Sequence, residues 1–426
     1  MISDFSRFYA HEPRILFLDM NSFFASVEQQ EHPQWRNDPL IVAPIDADTT
    51  SAISVSYQAR AFGIKTGTSV IEAKHLCPQI RVVAARPKLY VQYSRAIIEL
   101  LHHVFVTITD LSIDEMACVL CPSQQSVAGA TVAAYRVKAL IKKELGEALR
   151  CSVGIAPNVF LAKVASDFEK PDGLTVFCGD YRAKLFSLEI TDLPGIAKRN
   201  AARLRAYGIY TVEDLWHAPL KILRRVWGGT VGERWHYMLR GNLIADYGVH
   251  GHGPKKSVSH SHVLPPQLRS LQGAKDMLLR LAAKALKRLR GYDQTAKYAG
   301  CLISFRSGFD RTQRCRWEKH IVSFQDANDD LCWLPQIEAA TRELCIDATF
   351  YPMKVCVFFY GLSGPDRAQL SFYEDRARYT KLFKCLDALQ EKHGCTAHIA
   401  QIFHLMKHAP FRISFNSPSR IDDKSS

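Results

Sequence analysis

Two short apolar runs that end in acids constrain this chain more than any other feature. Ile15-Leu16-Phe17-Leu18-Asp19-Met20 carries one carboxylate, and Leu111-Ser112-Ile113-Asp114-Glu115-Met116 carries two. Runs of this length and composition read as strands, and an acid at the end of a buried strand is costly unless a cation offsets it. With two adjacent acids on the second run, a bound divalent metal is the natural partner. Brought together on neighbouring strands, Asp19, Asp114 and Glu115 outline a two-metal site, which can activate a hydroxyl nucleophile and steady a leaving pyrophosphate. The chemistry implied is nucleotidyl transfer.

At 426 residues the chain is too long for one ordinary core, so several domains are expected. Its formal net charge is +13. Because the inferred site is acidic, the positive charge must lie elsewhere, and polyanion binding is its expected use. No run of about eighteen uncharged apolar residues occurs, and Met1-Ile2-Ser3-Asp4-Phe5 has neither a basic nor an apolar leader pattern. A cytoplasmic protein without membrane contact is expected. Several Cys, among them Cys151, Cys301 and Cys356, fall inside apolar runs as small hydrophobes. Cys118 and Cys121 form a CxxC, but positions three apart on a strand face opposite sides and no second pair follows at zinc-ligand spacing. His250, His252, His260 and His262 sit among Gly and Ser where a linker runs into a strand.

The order strand, insert, helix, strand, strand, helix, strand up to Cys151-Ser152-Val153-Gly154-Ile155 predicts a ferredoxin-like split sheet with its acids on adjacent central strands, the form of a palm domain. Helices are expected over about 88–105 and 126–149. A second unit begins near Leu174 and contains Leu193-Pro194-Gly195-Ile196-Ala197 before a helical stretch. Such a hairpin presents backbone N–H groups to a phosphate oxygen, with Lys198, Arg199, Arg203 and Arg205 adding charge. Beyond a Gly- and His-rich linker, a strand near 257–264, a basic helix over 271–290, strands near 300–306 and 315–320, a helix near 328–345 and a strand near 353–360 read as a second split α+β domain. The tail has a helical section over about 375–392.

Four motifs in order resemble the Y-family, translesion DNA polymerases. They are Asp19-Met20-Asn21-Ser22-Phe23-Phe24-Ala25-Ser26-Val27-Glu28; Tyr57-Gln58-Ala59-Arg60-Ala61-Phe62-Gly63-Ile64; Ser112-Ile113-Asp114-Glu115; and Gly154-Ile155-Ala156-Pro157-Asn158 with Leu161-Ala162-Lys163 and Lys170-Pro171-Asp172-Gly173. The resemblance covers about residues 14 to 365. It implies an α+β, right-hand polymerase: palm over 1–22 and 88–173, fingers over 23–87, a helix-hairpin-helix thumb over 174–247, a linker over 248–256, a little finger over 257–365 and a tail over 366–426. It implies that Asp19, Asp114, Glu115 and the Met20 carbonyl hold two Mg2+ ions, with Mn2+ able to substitute. Phe24 falls at the family's steric gate against a 2'-hydroxyl, with Phe23 beside it at the dNTP site. Tyr57, Arg60 and Lys170 match the triphosphate contacts. Gly195, Ile196, Lys198 and Arg199 match the DNA-holding hairpin. Primer-template DNA and dNTPs are the implied partners of a chain expected to be monomeric and to lack proofreading.

Two positions depart from the family pattern. Asn21 stands where an acid is common, followed by Ser22 where a Tyr is common, and Ala197 replaces the last Gly of the hairpin. Small residues at Ser51, Ser54 and Ser56 would leave room for a distorted template base. Gln369-Leu370-Ser371-Phe372-Tyr373 resembles the peptide by which bacterial polymerases dock on the sliding clamp, with Gln369 at the pocket rim and Leu370, Phe372 and Tyr373 as apolar anchors. A non-catalytic adaptor and a nucleotidyl cyclase are the competing classes. The adaptor is disfavoured by retention of the three acids, and the cyclase by the DNA-holding hairpin and the basic distal domain.

Overall fold

Strand Ile15–Met20 is buried along its whole length, and the reason lies in what covers its two faces. A strand's period of two sends Leu16, Leu18 and Met20 to one side and Ile15, Phe17 and Asp19 to the other. The first set packs with Tyr90, Ile97 and Leu101 of helix Pro87–His102 and with Ala133, Val137 and Ile141 of helix Val127–Glu144. On the opposite face, Ile15 and Phe17 pack with Phe160, Leu161 and Val164 of helix Val159–Phe168. Asp19 therefore shares its side of the sheet with that last helix.

The computed structural model describes residues 12–46, 48, 50–243, 255–309, 313–364 and 376–393. The chain divides into two units, one reaching Gly251 and the other beginning at His252. In the first, five strands lie in the order Ile108–Asp110, Glu115–Val119, Ile15–Met20, Cys151–Ala156 and Leu174–Val176. Neighbours are antiparallel except for the last pair, which is parallel. The sequence reading starts the next unit at Leu174, but Leu174–Val176 pairs with Cys151–Ala156 and closes this sheet. Three residues in a parallel edge pairing carry no periodic signal by which to assign them.

Helix Val159–Phe168 lies very close to the sheet. A Cβ at Gly154 would fall 1.9 Å from the Ala162 carbonyl oxygen, so only glycine permits this separation. The helix is capped by Asn158, whose Oδ1 accepts from Leu161 N at 2.8 Å. Helix Val127–Glu144 stops short of the expected 149, and Gly146, with φ +115°, lies just beyond its end. The insert forms its own sheet of Ser54–Val55, Leu40–Ala43 and Arg81–Ala84 around a small core of Ile41, Val55, Ala59 and Val70. After Val176 come short helices whose apolar residues join the core of the sheet's second face. Trp235 stacks on Trp227 with centroids 5.2 Å apart and meets Phe160 edge-on at 5.1 Å.

The second unit is a four-stranded antiparallel sheet in the order Arg314–Ala327, Thr295–Ser307, Phe350–Ser363, Ser257–Val263. Helices Leu271–Gly291 and Asp330–Arg342 pack on it, and helix Arg376–His393 joins the same core through Phe383 and Leu386. Beneath that helix Arg290, 3% exposed, bonds both Asp387 carboxylate oxygens at 2.6 and 3.0 Å, Asp330 at 2.9 Å and the Asn328 carbonyl at 2.8 Å. Strand Arg314–Ala327 runs past the expected 315–320; beyond His320 the adjacent apolar pair Ile321-Val322 breaks the alternation, and the pairing shifts register between Ala296 and Tyr298.

Candidate active site

One cavity of about 300 Å³ gathers Asp19, Met20, Phe23, Phe24, Tyr57, Arg60, Asp114, Glu115 and Lys170, together with Asn21, Ser22, Thr66 and Lys163. Asp19 and Glu115 are register partners on adjacent strands, so their side chains project from the same side. Asp114 sits at the start of the second strand and its carbonyl accepts from Met20 N at 2.9 Å. Burial pushes the Asp114 carboxyl above its ordinary pKa; the Ser112 hydroxyl, 2.7 Å from Oδ1, pulls it back, and the charges of Asp19 and Glu115 push it up again. A carboxyl whose charge is disfavoured by burial and by two neighbouring acids favours a site that takes up positive charge.

Lysines supply part of it. Lys163 Nζ bonds Asp19, lies 2.8 Å from Glu115 and 3.2 Å from Asp167. Lys170 Nζ is 2.8 Å from Asp19 and 2.7 Å from Asp167. Burial works against the Lys163 ammonium, but Asp19, Asp167 and Glu115 outweigh it and hold its pKa above the ordinary lysine value. Among the described residues no three His, Cys, Asp or Glu side chains are drawn together as a ready ion cage. The donor set is nonetheless carboxylate oxygen, which hard divalent cations prefer, and Lys163 bridges Asp19 to Glu115 as a cation would. The residues fit a divalent metal.

The sequence reading assigns Lys163 and Asp167 no role. On a helix, Lys163 and Asp167 at spacing four read as an ordinary solvated pair; only the face assignment of Asp19 turns them toward the acids. Phe24 is half-buried and stacks on Tyr90 with centroids 4.4 Å apart at 13°. Tyr90 is held in turn by Glu28, whose Oε1 accepts from the phenol at 2.6 Å, while Arg86 pairs with the same carboxylate at 2.5 Å. Phe23 is 2% exposed and belongs to the sheet core, although it also borders the cavity. Arg60 is exposed, stands 5.0 Å over the Tyr57 ring and donates to the Ser22 hydroxyl at 3.3 Å. Tyr57 is raised above the usual phenol pKa by burial, with Arg60 and Lys170 opposing. Ser22 itself is left-handed, φ 48°, at the mouth of helix Phe23–Glu31. Strain of this kind collects at working sites.

Other expectations change in detail. Ser56 is 1% exposed and caps helix Tyr57–Arg60 through Ala59 N at 3.2 Å. Ser54 accepts from Ala25 N at 3.2 Å. Ser54 thus ties the insert to the start of helix Phe23–Glu31, while Ser56 acts within the insert, where its Oγ also accepts from Leu40 N at 2.9 Å. In the hairpin, Gly195 is left-handed at φ +95° and Lys198 and Arg199 are exposed. Ile196, however, is 1% exposed and its N–H already donates to the Leu193 carbonyl at 2.9 Å, so its backbone donor is taken. The donors left for an anion are those in the first turn of helix Lys198–Arg205. Gln369, Leu370, Phe372 and Tyr373 lie outside the described residues, as do His250 and His252. His260 is 7% exposed in strand Ser257–Val263; burial, helped by Arg288 and Lys284, pushes its pKa down to about 4.

An acidic cleft on an α+β sheet, with cations and an aromatic shelf around it, defines the class of the molecule as a nucleotidyl-transferring polymerase. A family model described as impB/mucB/samB matches residues 18–167. The chain is 34% identical over 279 residues to DNA polymerase IV of Moorella thermoacetica, across 65% of this chain and 69% of the relative. With DNA polymerase IV of Lactococcus lactis subsp. cremoris it shares 32% over 336 residues, across 78% of this chain and 88% of the relative. Among solved structures, the Y-family DNA polymerase chimera Dbh-Dpo4(243-245)-Dbh superposes with a TM-score of 0.69 at 23% identity, covering 82% of this chain and 99% of that one. The chain belongs to the impB/mucB/samB family of Y-family polymerases and is a DNA-directed DNA polymerase of the translesion type, similar to DNA polymerase IV. Enzymes of this family work with divalent metal ions and without proofreading. Among the described residues no helix is long and apolar enough to cross a membrane.

Proposed function

We propose that the enzyme extends a primer 3'-end on primer-template DNA with dNTPs, and that Mg2+ is its metal, with Mn2+ as a substitute. Asp19, Asp114, Glu115 and the Met20 carbonyl would hold two such ions, which when bound supply Lewis-acid activation of the 3'-hydroxyl and charge compensation at the pyrophosphate. The observation that carries this reading is the single cavity uniting the three acids with Phe24, Tyr57, Arg60 and Lys170. Tyr57, Arg60 and Lys170 bind the triphosphate and offset charge on the leaving group. Phe24, backed by Tyr90, excludes a ribose 2'-hydroxyl; Phe23 supports it from the core. Gly195, Lys198 and Arg199 hold the DNA backbone, with Ile196 contributing its buried side chain to the hairpin's shape.

We further assign Gln369, Leu370, Phe372 and Tyr373 to docking on a bacterial sliding clamp. The protein works as a monomer in the cytoplasm, with the domain limits given above except that the palm continues through Val176. Single-nucleotide insertion on intact and damaged templates, with each dNTP and its rNTP, tests the catalytic reading. Mg2+-dependent dNTP addition is expected; no incorporation by pure protein with either metal would favour a non-catalytic adaptor. For docking, Ala at Gln369, Leu370 and Phe372 should abolish clamp-stimulated synthesis and spare basal activity.

A further inference from the structure

Lys170 reaches the cavity from a turn that leaves helix Val159–Phe168 and enters strand Leu174–Val176. A five-residue connection carrying a flexible ammonium would not by itself hold that charge against Asp19. Two side chains grip it from different directions, and both grips close on Asp172. Asn21, 3% exposed, accepts from Asp172 N at 2.7 Å through Oδ1 and donates to the Ser152 hydroxyl at 2.9 Å through Nδ2. Lys138, on helix Val127–Glu144, donates to the carbonyls of Asp172 at 2.7 Å, Cys151 at 2.8 Å and Gly173 at 3.2 Å, and pairs with the Asp172 carboxylate at 2.7 Å. Asp172 is thereby fixed at its amide, its carbonyl and its side chain while its backbone is left-handed, φ 58°. Such a conformation persists in a non-glycine residue only where the surroundings over-determine it.

We infer that Asn21 and Lys138 are positioning residues that set the place of Lys170 in the nucleotide cavity, an inference resting on the reading of Lys170 as a triphosphate contact. Asn21 lies two residues beyond Asp19, so one amide side chain couples the strand bearing the acid to the turn bearing the cation. The carboxamide suits this place: it accepts from one backbone amide and donates to one hydroxyl. The residue that departs from the family pattern thus has a defined task. Lys138 does not border the cavity, and its effect on nucleotide use must pass through the turn.

A double-mutant cycle on primer extension tests this. Lys138→Met and Asn21→Leu should each raise KM for dNTP about tenfold and lower kcat as well, because a misplaced Lys170 both binds the triphosphate less tightly and offsets less charge on the leaving group. In a Lys170→Ala background the same substitutions should add less than about twofold. Asn21→Asp retains the acceptor for Asp172 N and takes its second bond from the Ser152 hydroxyl, so KM should return to within about threefold of the parent. Should Lys138→Met fail to fold by circular dichroism, the Asn21→Leu and Asn21→Asp pair carries the same test. A full tenfold effect that persists without Lys170, or no effect on KM in its presence, would overturn the positioning role alone. An unchanged KM for Lys170→Ala by itself would overturn the triphosphate role first, and this inference with it.

Discussion

Lys163 in the first unit and Arg290 in the second are both cations drawn in among carboxylates, yet their surroundings differ in one decisive respect. The Arg290 guanidinium makes four hydrogen bonds to two Asp side chains and a carbonyl, all packed between helices. Two carboxylates share that one guanidinium, and burial pushes Asp330 up to about 6 against the pull of Arg290. Around Lys163 and Lys170 the acids likewise outnumber the cations, but there Asp19, Asp114 and Glu115 border a cavity. A network sealed between helices holds them together; one whose acids open on a cavity can receive a ligand. Access from a cavity, more than the count of charges, separates a working site from a structural joint.

The contrast breaks most visibly at the acids. Asp114→Ala or Glu115→Ala should lower kcat about a thousandfold or more while duplex binding survives, and the thermal midpoint should hold or rise as like charges are relieved. A stable, inactive enzyme in a primer-extension and melting pair confirms the first half of the comparison; normal turnover ends it. Next in size, Arg290→Met leaves Asp330 and Asp387 buried without a counter-charge and should destabilise the second unit by about 3–5 kcal/mol in denaturant. The triple change Arg290→Met, Asp330→Leu, Asp387→Leu should recover most of that loss, which no variant of the Lys163 cluster would do for activity.

His260 sharpens the picture by pH. Its pKa in the folded protein is lowered from 6.5 to about 4, so between those values the unfolded chain binds more protons and stability rises with pH. The contribution is complete above 6.5 and disappears as pH falls toward 4, up to about 3 kcal/mol in size. Replacing His260 by Phe should flatten the acid limb of an unfolding curve followed from pH 7 to pH 4. The smallest effect is expected at Phe24. Phe24→Ala should raise rNTP incorporation relative to dNTP by about tenfold or more in single-nucleotide insertion, at modest cost to dNTP use.

Much of the first unit could be read from residues because its acids close apolar runs whose period also names the face they share. Asp19 and Glu115 as neighbours follow from two strands and an intervening helix. Lys163 was not legible, since its role depends on how close helix Val159–Phe168 approaches, a distance no periodicity encodes. Leu174–Val176 escaped for want of length, and the buried Ile196 donor because a turn's internal hydrogen bond cannot be seen in Pro194-Gly195. The Arg290 network was hidden by sequence separation: its partners lie 40 and 97 positions away. On a helix ending Lys287-Arg288-Leu289-Arg290, nothing marks one basic residue as buried.

Gly154 gives the separation between helix and sheet a further meaning. Any side chain there would act as a wedge, lifting the helix that carries Lys163 and leads into Lys170 away from the strand that carries Asp19. The balance of charge in the polymerase's reaction centre is thus gauged by an atom that is missing, and a single methyl group outside the cavity lining would be enough to detune it.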